Sequence, residues 1–331
     1  FIVFPIRRAL HHVPTRGAGS QGDSLYKASN PPHGAVFTIY RRDSFKSKKA
    51  RRKEKEGKIK KQGGDVPTPS FEELAAEEKE SKPELFVTIR DKEGKLVRRL
   101  VGPAGSGFHR VVWNLRRASI ASAGSSRNLV PPGKYTMVLE RNVKGTFETI
   151  GKPQRFSVTS ISKPSLPAQD REEVAAFYDS VERLSRTVRG AANRTDEALE
   201  ELAEINKAIK NARIAKVDLL ERTHKLETQL RELREALSGD AIRSRFSEPS
   251  VPSIQRRLGG AGSGRGSTYG PTKTHRREYE IAAERFGEIH GDLQNLTGEE
   301  MDKLFIQLEK AGVPWTKGRP VPALKKQGSG E

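Results

Sequence analysis

A change of apolar period near residue 170 constrains this chain more than any other feature. Before it, apolar residues come in strand-length runs: ELFVTIRD, KLVRRLVG, FHRVVWNL, KYTMVLE and RFSVTS, all between residues 84 and 160. Gly94, Gly107, Pro131-Pro132-Gly133 and Gly145 punctuate them. Short, partly alternating runs separated by turn formers specify an antiparallel β-sandwich. AVFTIY, at 35–40, adds one more strand. After residue 170 the spacing becomes threes and fours. Val174, Phe177, Val181, Leu184 and Val188 form one set; Leu226, Leu230, Leu233 and Leu237 a second; Tyr279, Ala282, Phe286, Ile289, Leu293 and Leu296 a third. Each set occupies one narrow helix face, and such faces bury one another in an antiparallel bundle of three to four helices. The expected fold class is therefore multidomain β + α, a sandwich followed by a bundle. The first helix runs on through Leu199, Leu202, Ile205 and Ile209. A last helix covers Glu299–Lys310, capped by Thr297 or Gly298 and stopped by Gly312 and Pro314.

These patterns divide the chain. Residues 1–33 read as an extended connector, with a strand at Ile2–Ile6 and a Gly/Ser-rich stretch, TRGAGSQGDS. Residues 34–160 hold the sandwich, interrupted at 41–82 by a charged excursion. Residues 161–312 hold the bundle, with a flexible loop at 238–272 that contains GGAGSGRGS. Residues 313–331 form an extended tail. The entry to the first sandwich strand is NPPHG: Asn30, Pro31 and Pro32 forbid a helix and stiffen the lead-in, and Gly34 is the hinge.

The excursion carries much of the charge. The chain has 61 Lys and Arg against 42 Asp and Glu, a net +19. In residues 41–62, twelve cations face only Asp43, Glu54 and Glu56, close to half of that excess. Ser70, with Glu73 three residues later, then opens a short acidic helix, FEELAAEEKE, that ends before Pro83. Its carboxylates are placed to lie against the basic block as a charged helical hairpin. No cysteine is present, which excludes disulfides, thiol catalysis and cysteine-based zinc sites. No window approaches the roughly 18 apolar residues of a membrane span. FIVF is followed at once by Pro5, Arg7 and Arg8 and lacks the make-up of a signal peptide. A start at Phe rather than Met reads as a processed or truncated piece of something longer.

NPPHGAVFTIY, LFVTIRDKEGKLVRRL, GFHRVVWNLR and VPPGKYTMVLE, in that order, resemble the region behind the propeller in bacterial sortilin-like, BNR-repeat proteins, a group often named glycosyl hydrolases. The closing GVPWTKGRPVP is similar to that family's tail. The sandwich is similar to the immunoglobulin-like domain of flagellar hook-capping proteins. The resemblance implies an exported, periplasmic or extracellular protein whose partners are a β-propeller domain or subunit and other proteins of a complex. No S-x-D-x-G-x-x-W blade turn occurs in this chain, so nothing that the family does through its propeller transfers to these residues.

Catalytic signatures are weak. His11, His12, His33, His109, His224, His275 and His290 lack metal-ligand spacing, and the neighbouring His11 and His12 point to opposite faces of a strand. Asp91, Glu93, Glu140 and Glu148 are the sandwich carboxylates that glycoside hydrolysis would have to converge, and all fall at turns or strand ends. GGAGSGRGS lacks the Gly-Lys-Ser/Thr of a phosphate loop, and no G-x-S-x-G elbow is present. No cofactor and no small-molecule substrate are expected. The expected function is non-catalytic assembly through Arg41, Arg42, Lys48, Lys49, Arg51, Arg52, Lys53 and Trp315, with Trp113 anchoring the sandwich core. One rival is an accessory glycan-binding part of a sialidase-like hydrolase. The other is nucleic-acid or anionic-surface binding by residues 41–62, where Phe45 is the one aromatic for base stacking.

Overall fold

The computed structural model describes residues 1–13, 28, 30–44, 46–80, 84–120, 125–143, 145–161, 170–213, 217–266 and 269–322. All of TRGAGSQGDS, Phe45 and Pro83, as well as the tail beyond residue 322, lie outside them. The chain combines β-sheets with a helical region and divides into two compact units. One comprises Phe1–Ser119, Gly124–Ala175 and Ser267–Tyr269; the other comprises Ile120–Ala123, Ala176–Gly266 and Gly270–Glu331.

In the first unit the strands are β1 (Ile2–Val3), β2 (Ala9–His11), β3 (Ala35–Arg41), β4 (Glu84–Arg90), β5 (Leu96–Val101), β6 (Gly107–Trp113), β7 (Arg116–Ala118), β8 (Ser125–Leu129), β9 (Gly133–Val143) and β10 (Thr146–Ser160). One sheet has the order β1-β3-β6, a second β2-β10-β9-β4-β5, and β7 pairs with β8. The pairings are antiparallel except that of β2 with β10, which sets Ala9 beside Val158. This short parallel pairing is absent from the sequence reading, because ALH carries no periodicity of its own. β10 is also longer than RFSVTS. It starts at Thr146 and passes a register shift between Ile150 and Gln154. Pro153 has no N–H to give a ladder there, and Gly151 takes φ +73°.

Alternation decides what is buried. Along β3, Ala35, Phe37 and Ile39 point inward. They join Leu85, Val87, Ile89, Trp113, Leu115, Tyr135, Met137, Leu139, Phe156 and Val158 in one apolar cluster contributed by both larger sheets. Trp113 is fully buried, 5.6 Å from the Tyr135 ring and 6.0 Å from Phe156, and its Nε1 donates to the Arg116 carbonyl at 2.9 Å. Gly34 precedes the strand at φ +115°, and a Cβ there would fall 1.9 Å from the Trp113 carbonyl oxygen. Glycine is thus dictated twice, by backbone sign and by space.

The second unit contains most of α3 (Arg171–Lys210), followed by α4 (Val217–Ser238), α5 (Ala241–Arg245), α6 (Ile254–Ala261), α7 (Lys273–Thr297) and α8 (Glu299–Lys310). α3 is 40 residues long, roughly 60 Å at the usual helical rise. Its far half gives Ala198, Leu202, Ile205 and Ile209 to a cluster with Leu219, Leu226 and Leu230 of α4 and Met301, Leu304, Phe305 and Leu308 of α8. Its nearer part gives Val188 and Ala192 to a second cluster with Leu237, Ile254, Leu258, Ala282, Phe286 and Leu293.

The stretch 238–272, expected to be a flexible loop, differs. Ser253 caps α6 by accepting from the Arg256 N–H, and Ile254, Leu258 and Ala261 are buried one and two turns apart. Three well-spaced apolar residues outweigh the glycine content around them. Thr297 also differs from its expected capping role. It ends α7 with its hydroxyl donating back to the Leu293 carbonyl, and Gly298 enters α8 without a side-chain cap.

Candidate interaction surfaces

The charged excursion folds as two helices, α1 (Lys48–Lys61) and α2 (Phe71–Glu78). Ser47 starts α1 by accepting from the Ala50 N–H, and Gly63, at φ +74°, follows its end. Ser70 and Glu73 form a reciprocal capping box at the start of α2. Neither helix buries a residue, so charge holds the pair together. The Arg52 guanidinium donates to both Glu77 oxygens, at 2.7 and 2.8 Å, and to Glu56 at 2.5 Å. The Lys48 backbone N–H donates to the Glu80 carboxylate at 2.6 Å, and Lys46 pairs with Glu54. The Arg52 contact holds the Glu77 carboxyl below the ordinary range, and the Glu77 and Glu56 hydrogen bonds raise the Arg52 guanidinium.

The candidate interaction residues therefore divide. Arg52 is occupied between α1 and α2. Arg42, Lys48, Lys49, Arg51 and Lys53 are exposed. Arg41 is a correction to its expected place at the surface. It is only 1% exposed at the end of β3, with Nε donating to the Asp43 carbonyl and Nη1 to the Pro103 carbonyl. The strand alternation that buries Phe37 and Ile39 turns Arg41 inward too, where two backbone oxygens accept from its guanidinium and the Phe1 ring lies 5.5 Å from it.

Trp315 is half exposed, and its Nε1 donates to the carbonyls of Arg319 and Pro320. Sequence reasoning passed over Arg319. It is buried, donates to the carbonyls of Val313 and Pro314, and reaches Glu309 of α8 at 3.0 Å. Arg319 fastens this turn to its helix, and Trp315 closes it. Asn30, Pro31 and Pro32 are exposed ahead of Gly34.

A second surface lies on the outer face of β1-β3-β6. Phe108 stands opposite Tyr40 in the register, with ring centroids 4.9 Å apart, and Phe4 lies 5.9 Å from Phe108. Phe108 is 71% exposed, and Ile2, Phe4 and Val112 of the same sheet are exposed as well. The signal for it was available in FHRVVW, which is apolar in both phases of alternation. Reading only the Val111, Trp113, Leu115 phase finds the core and leaves out Phe108 and Val112.

The carboxylates of the sheet unit are occupied locally. Asp91 accepts from the N–H groups of Glu93 and Lys95 in a turn, and Glu148 pairs with Arg141. Glu140 is buried, accepts from Thr88 at 2.5 Å, and lies 3.4 Å from Arg90 and 3.0 Å from Arg99. Its oxygens are thus committed to strand neighbours. His12 and His33, distant in sequence, meet with ring centroids 4.4 Å apart. Burial, then Arg171, pushes His11 down, and burial, then His12, pushes His33 down. Among the described residues no group of three histidines or carboxylates could hold a metal, and no helix is long and apolar enough to cross a membrane. No known family model matches the chain, and no curated protein sequence matches it.

Proposed function

We propose that this chain is a non-catalytic binding and assembly region, with an immunoglobulin-like sandwich as its first unit and a helical bundle as its second. The observation that carries this reading is the aromatic row Phe4–Phe108–Tyr40 on an open sheet face. Aromatic side chains are enriched where proteins meet, and contiguous exposed apolar surface marks such places. The family resemblance in the strand and turn motifs supports a β-propeller domain or subunit of an exported complex as the partner. The carboxylates that a glycosidase would need are tied into turns and strand-pair ion bridges, which favours assembly over hydrolysis.

Cross-linking of the native protein, followed by mass spectrometry, tests the reading. Cross-links from the β1-β3-β6 face to one partner are expected. The double variant Phe108→Ser/Val112→Thr should abolish them while lowering the melting of the sheet unit only slightly, since Phe108 is mostly in water and neither side chain belongs to the buried cluster. Turnover of a glycan panel by the isolated chain would sink the proposal.

A further inference from the structure

α1 is a helix whose first turn carries charge that opposes its formation, although Lys58, Lys60 and Lys61 suit its last turn. Its first turn holds Lys48, Lys49 and Arg51 and no acid, against the helix dipole. Arg51 and Lys55 repel at one-turn spacing. α2 and Glu80 just after it relieve only one side, because their contacts reach Arg52 and the Lys48 backbone. Lys48, Arg51, Lys55 and Lys58 are spaced i, i+3, i+7 and i+10. They fall within roughly 80° of arc over roughly 15 Å of helix, about 100° around from the Arg52–Glu56 edge. All four are exposed. Among the described residues the side chains of Lys48, Arg51 and Lys55 form no ion pair, and Lys58 reaches only Glu54, at 3.7 Å.

We infer that this stripe is the seat for an acidic helical segment of a partner protein, lying along α1 on the side away from Glu77. The intramolecular contact is the template: Glu77 of α2 engages the Arg52 side chain, and Glu80, just past the end of α2, accepts from the Lys48 backbone N–H. A second helix with carboxylates at i, i+3 or i+4, and i+7 matches the free stripe in the same way. Two other polyanions fit less well. Apart from Ile59 and Ala50, α1 has no apolar side chain, so it lacks the face that sinks into a lipid boundary. A nucleic-acid duplex carries phosphate along its whole length and would run against Glu72, Glu73, Glu77 and Glu78 of α2. A single acidic helix avoids them.

This inference rests on the assembly reading and adds the partner's chemistry at a different surface. Fluorescence anisotropy with the full chain tests it, using three probes: a labelled, capped peptide with carboxylates at i, i+3 and i+7, a short DNA duplex, and phosphatidylserine–phosphatidylcholine vesicles. The peptide should bind most tightly and weaken with salt. Arg51→Glu/Lys55→Glu should weaken it about tenfold or more, and the equally charged control Lys92→Glu/Lys152→Glu by about twofold at most. Circular dichroism of both variants establishes that the fold is retained. Equal losses in the two variants, or tighter binding to the duplex or the vesicles, would overturn the inference. Either result leaves the cross-linking of the β1-β3-β6 face, and the assembly reading with it, standing on its own measurement.

Discussion

At the scale of single residues, Gly34 and Trp113 share one constraint. Ala35 and Trp113 are register partners, so the chain must enter β3 against the Trp113 backbone. Gly34→Ala places a methyl group 1.9 Å from the Trp113 carbonyl oxygen at φ +115°, and neither strand can retreat without opening the core. The expected cost is about 3 kcal/mol or more, read as a lowered urea midpoint at unchanged slope. A variant within experimental error of the parent would show that the entry to β3 is free to move. Both residues were legible in the sequence, glycine beside two prolines and tryptophan in phase with Val111. Arg41 was not. An arginine opening a cationic pair looks solvated, and only the register of β3 reveals that its phase points inward.

At the scale of elements, the α1–α2 pairing depends on ionised carboxylates. Glu77 titrates below the ordinary glutamate value because Arg52 favours its charged form. Its contribution is therefore fully present above that ordinary value and is lost as pH falls through the lower, folded one. The absence of cysteine allows spin labels at Lys55→Cys and Glu72→Cys without further changes. Their separation should stay constant from neutral pH down to the ordinary glutamate range and lengthen below it. Arg52→Gln should produce the longer distance already at neutral pH. A distance indifferent to both acid and Arg52→Gln would mean that something other than this charge contact holds the helices. Elements with a strong local signal, such as the Ser70 capping box and the three-four spacing of α7, were readable from sequence. α6 and β2 were hidden for opposite reasons. α6 has well-placed Ile254 and Leu258 amid glycines that read as linker, and β2 becomes a strand only because β10 lies beside it.

At the scale of the whole molecule, the two apolar systems belong to different units: one cluster in the sheets, and two along α3. The sequence shows this division through its change of period, but not that α3 serves two clusters. That fact depends on which helices return to which half of it. Leu202 lies in the far cluster and is fully buried among residues of α4 and α8. Leu202→Ala should cost the helical unit about 2–5 kcal/mol through lost transfer energy and the cavity left behind. Trp113 offers a separate reporter because it is buried in the sheet cluster. The helical ellipticity at 222 nm should therefore melt at a lower temperature, whereas the shift of Trp113 emission on exposure should keep its midpoint, with Trp315→Phe removing the exposed tryptophan from the signal. Separate midpoints follow if each core is its own cooperative unit, which the proposed assembly role needs if one unit is to rearrange on a partner while the other holds. Joint displacement of both midpoints would instead make the chain one cooperative body, and a partner bound at either surface would then stabilise both units together.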